Sequence, residues 1–67
     1  MDPKKMGETL RNLRGIRTQG EVANACDITV QALSSYERGE RIPRDEVKIR
    51  LASFYGVTVQ DLFFDAK

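Results

Sequence analysis

Two helix-start signals packed between residues 18 and 39 constrain this chain more than any bulk property does. In TQGEVANACDITVQALSSYERG, Thr18 can cap one helix, and Glu21, three residues on, can reach back to complete a capping box. Thr29 can cap a second helix, and Ile28 and Leu33 bracket it at the spacing of a hydrophobic staple. Only Cys26, Asp27 and Ile28 are left to turn the chain. Two short helices tied so closely must cross and share a core. Val22, Cys26, Ile28, Leu33 and Tyr36 are the apolar positions they would bury together, and Ala23 is small where they approach. Asp27 falls where the turn needs a left-handed residue, a conformation Asp tolerates better than most non-glycine residues.

A helix pair with so short a turn has helix-turn-helix geometry, in which the second helix can lie in the major groove of DNA. The face left over on that second helix is Val30, Gln31, Ser34, Ser35 and Arg38. It is mostly polar, with short side chains and one cation at the end. That composition suits close approach to base edges, where Gln can bond adenine and Ser several bases.

The remaining pattern is helical too. Helix one has Asp2 as cap and Pro3 in the first position, and runs to about Leu13 or Arg14 with Met6, Leu10 and Leu13 on one face. Gly15 breaks it. Helix two spans Gln19 to about Ala25, and helix three spans Val30 to about Arg38, ended by Gly39. A loop holding Pro43 leads to helix four, about Asp45 to Tyr55, whose Val47, Leu51, Phe54 and Tyr55 form an apolar stripe with Ile49 on the other side. Helix five is short, Val59 to about Phe63, with Thr58 as cap and Val57 and Leu62 as staple. The expectation is an all-α fold without strands, one domain over residues 1–67.

Composition excludes several chemistries. The chain has no His and one Cys, so Cys/His metal sites and His-assisted nucleophiles are ruled out, and Cys26 reads as a small buried apolar residue. No cofactor is expected, and no enzymatic activity, because no catalytic cluster is present and 67 residues are too few to enclose a substrate. No apolar run approaches the ~18 residues of a membrane span, and the polar start reads as no leader, so a cytoplasmic location is expected. The net charge of +1 does not by itself mark a nucleic-acid binder. Its distribution is more telling: Arg11, Arg14 and Arg17 precede the helix pair without an acid among them, and Arg38, Arg41 and Arg44 follow it at three-residue spacing. Asp61 and Asp65 make the far end slightly negative. Such a dipole turns a protein toward phosphate.

Four strings carry a family resemblance: LRNLR at 10–14, TQGEVA at 18–23, SYERGERIP at 35–43 and RLASFYGVTVQDLF at 50–63. In this order the chain resembles the XRE family, the Cro and repressor type of bacterial and phage DNA-binding domain, over nearly its whole length. The resemblance implies a compact five-helix bundle of the lambda-repressor-like type, with helices two and three as the helix-turn-helix. It implies that Gln31 reads a base, with Val30, Ser34 and Ser35 as further reading positions. It implies DNA-backbone contacts from Gln19, Thr29, Arg38, Arg41 and Arg44, and places Arg14 among them. Each has a plainer alternative: Thr29 as a cap alone, Ser35 on a phosphate instead of a base, Val30 as a cover for the helix end. Glu37 is expected to pair with a nearby Arg, with Arg14 as the candidate. Two departures stand out. Asp27 replaces the usual turn Gly, and the link of Gly15, Ile16 and Arg17 is shorter than is typical, which predicts an early end to helix one.

Ile49, Phe54, Phe63 and Phe64 are surplus apolar residues at the C-terminal helices, and Phe63 and Phe64 cannot both face the core of one short helix. An exposed apolar patch marks a partner surface. The resemblance implies a homodimer through these helices, which sets two reading helices one DNA turn apart. The expected function is a sequence-specific transcriptional regulator, most simply a repressor on a two-fold symmetric site in double-stranded DNA. With no sensing domain in view, a protein antagonist could control it. The competing expectation is a protein-interaction adaptor or an antitoxin-like module on the same fold.

Overall fold

The computed structural model describes residues 2–63. Five helices follow one another: α1 (Pro3–Arg14), α2 (Gln19–Ala25), α3 (Val30–Glu37), α4 (Asp45–Tyr55) and α5 (Val59–Phe63). No strand occurs among the described residues.

Local chemistry sets each boundary. The Asp2 carboxylate accepts a hydrogen bond from the Lys4 N–H at 3.1 Å, with Pro3 opening α1. The α2 capping box is complete: Thr18 Oγ1 accepts from the Glu21 N–H at 3.0 Å, and Glu21 Oε1 accepts from the Thr18 N–H at 2.9 Å. Thr29 Oγ1 accepts from the Ala32 N–H at 3.0 Å to start α3. Thr58 starts α5 in the same way, its Oγ1 accepting from the Asp61 N–H at 2.9 Å.

The turn between α2 and α3 is a Schellman closure. The Ile28 N–H bonds the Ala23 carbonyl at 2.9 Å and the Asp27 N–H bonds the Asn24 carbonyl at 3.3 Å. Asp27 takes the left-handed position, with φ 59°, that Gly most often fills. The same closure ends α3: the Gly39 N–H bonds the Tyr36 carbonyl at 3.1 Å, and the Glu40 N–H bonds the Ser35 carbonyl at 2.9 Å.

The short link does not shorten α1, which ends where its pattern indicates. The helix runs to Arg14 and stops at Gly15, whose φ of 59° and ψ of −125° leave the helical region. The short link is accommodated beyond it. Arg17 folds back so that its Nε and Nη2 donate to the carbonyls of Arg14 and Leu13 at 3.4 and 3.3 Å. Its guanidinium carbon lies 5.1 Å from the Phe54 ring centre and 5.6 Å from that of Tyr55.

The core sits where α1, α2 and α3 meet α4 and α5. Leu10, Leu33, Leu51, Val22 and Cys26 are fully buried, and Met6, Ala23, Tyr36, Val47, Ala52, Leu62 and Phe63 complete the cluster. α1 crosses α3 closely at Gly7, where an added Cβ would lie 2.3 Å from the Glu37 carbonyl oxygen. Only glycine permits that approach.

One expectation for the C-terminal helices is corrected. Phe63, expected at a dimer surface, is 2% exposed and belongs to the core of its own chain, because α5 turns it inward beside Leu62. Phe54 is half-buried; it packs on the core and meets Tyr55 edge-on, with ring centres 5.3 Å apart. Phe64, the other surplus aromatic, lies outside the described residues. Ile49 is the outward apolar residue of α4, at 59% exposure.

Candidate nucleic-acid interface

The α3 helix buries Leu33, Tyr36 and Glu37 and leaves its other side toward solvent. Thr29, Val30 and Gln31, at its N-terminal end, are all exposed, and Ser34 and Ser35 are half-exposed. The apolar spacing dictates this division: Leu33 and Tyr36 fill the core, so positions 30, 31, 34 and 38 fall on the opposite side. The face therefore presents the Val30 methyls and the Gln31 amide at its N-terminal end, the Ser34 hydroxyl in the middle and the Arg38 guanidinium after it.

Glu37 fixes the pose of this helix from behind. It is 3% exposed, and its carboxylate is fully engaged. Arg14 Nε donates to Oε2 at 2.8 Å, Arg14 Nη2 donates to Oε1 at 3.0 Å, and Gln19 Nε2 donates to Oε1 at 2.9 Å. One side chain thus ties α3 to the end of α1 and to the first turn of α2. The hydrogen bonds to Glu37 raise the pKa of the Arg14 guanidinium, keeping it charged. Arg14 also donates through Nη1 to the Arg17 carbonyl at 2.9 Å. Of the two roles expected for Arg14, the structure displays the ion pair with Glu37, which takes donors from Nε and Nη2. Gln19 stands half-exposed at the first position of α2, its amide nitrogen bonded to Glu37.

Tyr55 borders this cluster. Burial, with the Glu37 carboxylate adding to it, pushes its hydroxyl up to about 12, and the buried oxygen has no hydrogen-bond partner among the described residues. Burial likewise raises the Cys26 thiol, whose Sγ lies 3.9 Å from the Arg50 carbonyl oxygen; it is a core residue, as its sequence context suggested.

The arginines that follow α3 separate into distinct settings. Arg38 is clamped by Glu40, with Nε donating to Oε2 at 3.0 Å and Nη2 to Oε1 at 2.9 Å, and its Nη1 donates to Ser34 Oγ. Arg41 is exposed, its guanidinium carbon 5.7 Å from the ring centre of buried Tyr36. Arg44 is exposed at the N-cap of α4, just after buried Pro43, and makes no side-chain capping bond. Sequence reasoning missed the Glu40 clamp. An acid two residues after an arginine is no helix-face spacing, and the contact exists only because the left-handed turn at Gly39 folds Glu40 back.

Two crossed helices joined by a Schellman turn, with a braced second helix exposing a polar face, define a helix-turn-helix domain. Comparison with known proteins agrees. A family profile described as helix-turn-helix matches residues 8–62, and the chain belongs to this XRE-type helix-turn-helix family. It is 46% identical over 61 residues to the HTH-type transcriptional regulator DdrOP3 of Deinococcus deserti, covering 87% of this chain and 46% of that protein. It is 37% identical over 60 residues to the cryptic phage CTXphi transcriptional repressor RstR of Vibrio cholerae, covering 87% of this chain and 54% of that protein. The chain thus spans about half the length of the curated relatives it matches. No solved structure gives a significant match.

Proposed function

We propose that this domain is the DNA-reading part of a transcriptional regulator of the repressor type, which inserts α3 into the major groove. The observation that carries this reading is the division of α3: an exposed Thr29–Val30–Gln31 end faces outward while buried Glu37 locks the helix from behind. A reading helix must hold its side chains in register with base edges, and a helix braced at three points does so at little further ordering cost. Gln31 reads adenine by its amide, and Val30 meets a thymine methyl. Gln19, Thr29, Arg41 and Arg44 engage phosphates, which fix register without reading sequence. The relatives named as a transcriptional regulator and a repressor support the same assignment.

Two copies act together on a two-fold symmetric site. The Cα envelope measures 31 × 23 × 22 Å, so two domains can sit side by side with their centres ~34 Å apart, the spacing that places two reading helices on one face of the duplex. Selection of bound sites from a randomised duplex pool tests the proposal. It predicts recovery of an inverted repeat with half-sites about one helical turn apart, ~10 bp. Recovery of no preferred sequence would contradict it.

A further inference from the structure

The end of α3 holds an arrangement that a simple phosphate contact does not require. Arg38 is fixed on two flanks. Glu40 takes its Nε and Nη2 side at 3.0 and 2.9 Å, and Ser34 Oγ takes Nη1. Glu40 is itself set by the backbone, because its N–H closes the Schellman turn onto the Ser35 carbonyl at 2.9 Å. The pair is open to solvent, with side chains 55% and 59% exposed. Hydrogen bonding to Arg38 lowers the Glu40 pKa, so the clamp is charged at neutral pH.

The position of the guanidinium matters more than that of its Cα. Ser34 lies one helical turn before Arg38, so the Nη1 contact draws the arginine tip back over the middle of the reading face, the direction in which helical side chains lean. There it lies beside Ser34, which shares a face with Gln31.

A donor count narrows what it can bind. A guanidinium carries five N–H donors. Glu40 takes one from Nε and one from Nη2, and Ser34 takes one from Nη1. One donor remains on each terminal nitrogen. Guanine offers two adjacent acceptors, N7 and O6, on its major-groove edge.

We infer that Arg38 reads a guanine in the major groove, with Glu40 and Ser34 as positioning residues that hold its two remaining donors over the reading face. This inference rests on the DNA-reading assignment of α3. It moves Arg38 from the expected backbone set into the base-reading set, and it gives Glu40 a role where a lone acid near phosphates would only repel.

The test is site selection with the unaltered chain, Arg38→Ala and Glu40→Gln, followed by titration of the selected and a scrambled duplex against salt. The expected result is one G·C pair in each half-site whose preference Arg38→Ala abolishes and Glu40→Gln relaxes, at that pair alone. Arg38→Ala should weaken the selected duplex roughly 5- to 100-fold while leaving the scrambled one nearly unchanged. Equal weakening on both duplexes, with the salt slope flattened by about one, would make Arg38 a phosphate contact and overturn the inference. Unchanged base preference in Glu40→Gln, with tighter binding to every duplex, would reduce Glu40 to a charge screen and overturn it too. Absence of any preference in the unaltered chain would instead remove the DNA-reading assignment beneath it.

Discussion

Glu37 is the side chain on which the pose of α3 depends. Its carboxylate is buried and accepts from Arg14 and Gln19, so removing it leaves the Arg14 guanidinium, 20% exposed, without its partner. Breaking such a pair costs roughly 2–4 kcal/mol. A domain this small has on the order of a few kcal/mol in total. Glu37→Ala should therefore be largely unfolded at 37 °C, and a urea titration checks it. Tyr55 gives the opposite expectation. Its buried hydroxyl has no hydrogen-bond partner among the described residues, so Tyr55→Phe should be neutral or stabilising by up to about 1 kcal/mol at pH 7. The pH dependence has a definite sign. The folded chain holds the Tyr55 proton up to about 12 while the ordinary value is 10.0. Below pH 10 both states keep the proton and nothing changes. As pH rises from 10 toward 12 the unfolded chain ionises first, so stability falls across that window. Tyr55→Phe should lose less stability there, as denaturant titrations at pH 9 and 11.5 would reveal. The Glu37 partnership was foreseeable, since a Glu on the buried side of a helix needs a cation; the burial of the Tyr55 hydroxyl was not, because it depends on tertiary packing around the end of α4.

The helices were legible in the sequence because their boundaries are local. Thr18 with Glu21, Thr29, Asp2 with Pro3, and Thr58 act on backbone groups within a few residues of themselves, and each acts as expected. What the sequence concealed depends on a neighbouring element. Gly7 reads as a poor helix former in mid-α1, and its reason lies in the backbone of α3, 2.3 Å from where a Cβ would stand. Gly7→Ala should gain helix propensity yet destabilise the domain by about 1–3 kcal/mol or more, because rigid backbone cannot yield as a side chain would. A thermal melt that rises instead would show that α1 can slide along α3. Phe63 is a second case. Adjacent phenylalanines on a short helix leave open which one turns inward, and packing of α5 against α1 and α4 buries Phe63. The Glu40 clamp is a third, made by the turn at Gly39 rather than by any helix spacing.

Across the domain, charge and shape together serve the proposed reading of DNA. With a net charge of only +1, long-range attraction to DNA is weak, and local placement must do the steering. Arg14 is paired with Glu37 and Arg38 is clamped by Glu40. That leaves exposed Arg44, after the rigid Pro43, among the arginines best placed for phosphate. Arg44→Ala should weaken binding to all duplexes alike and reduce the salt slope by about one. An unchanged slope would remove Arg44 from the backbone set.

The proposal that α3 reads sequence through its outward N-terminal end rests most heavily on Gln31, which is exposed and lies beyond the Glu37 network. Parallel site selection with the unaltered chain and Gln31→Ala therefore decides the matter. Loss of preference at one base pair in each half-site, with affinity for the original site lowered by about 1–3 kcal/mol and the other positions retained, is the predicted result. An identical preferred sequence from both proteins would contradict it and place the reading surface elsewhere.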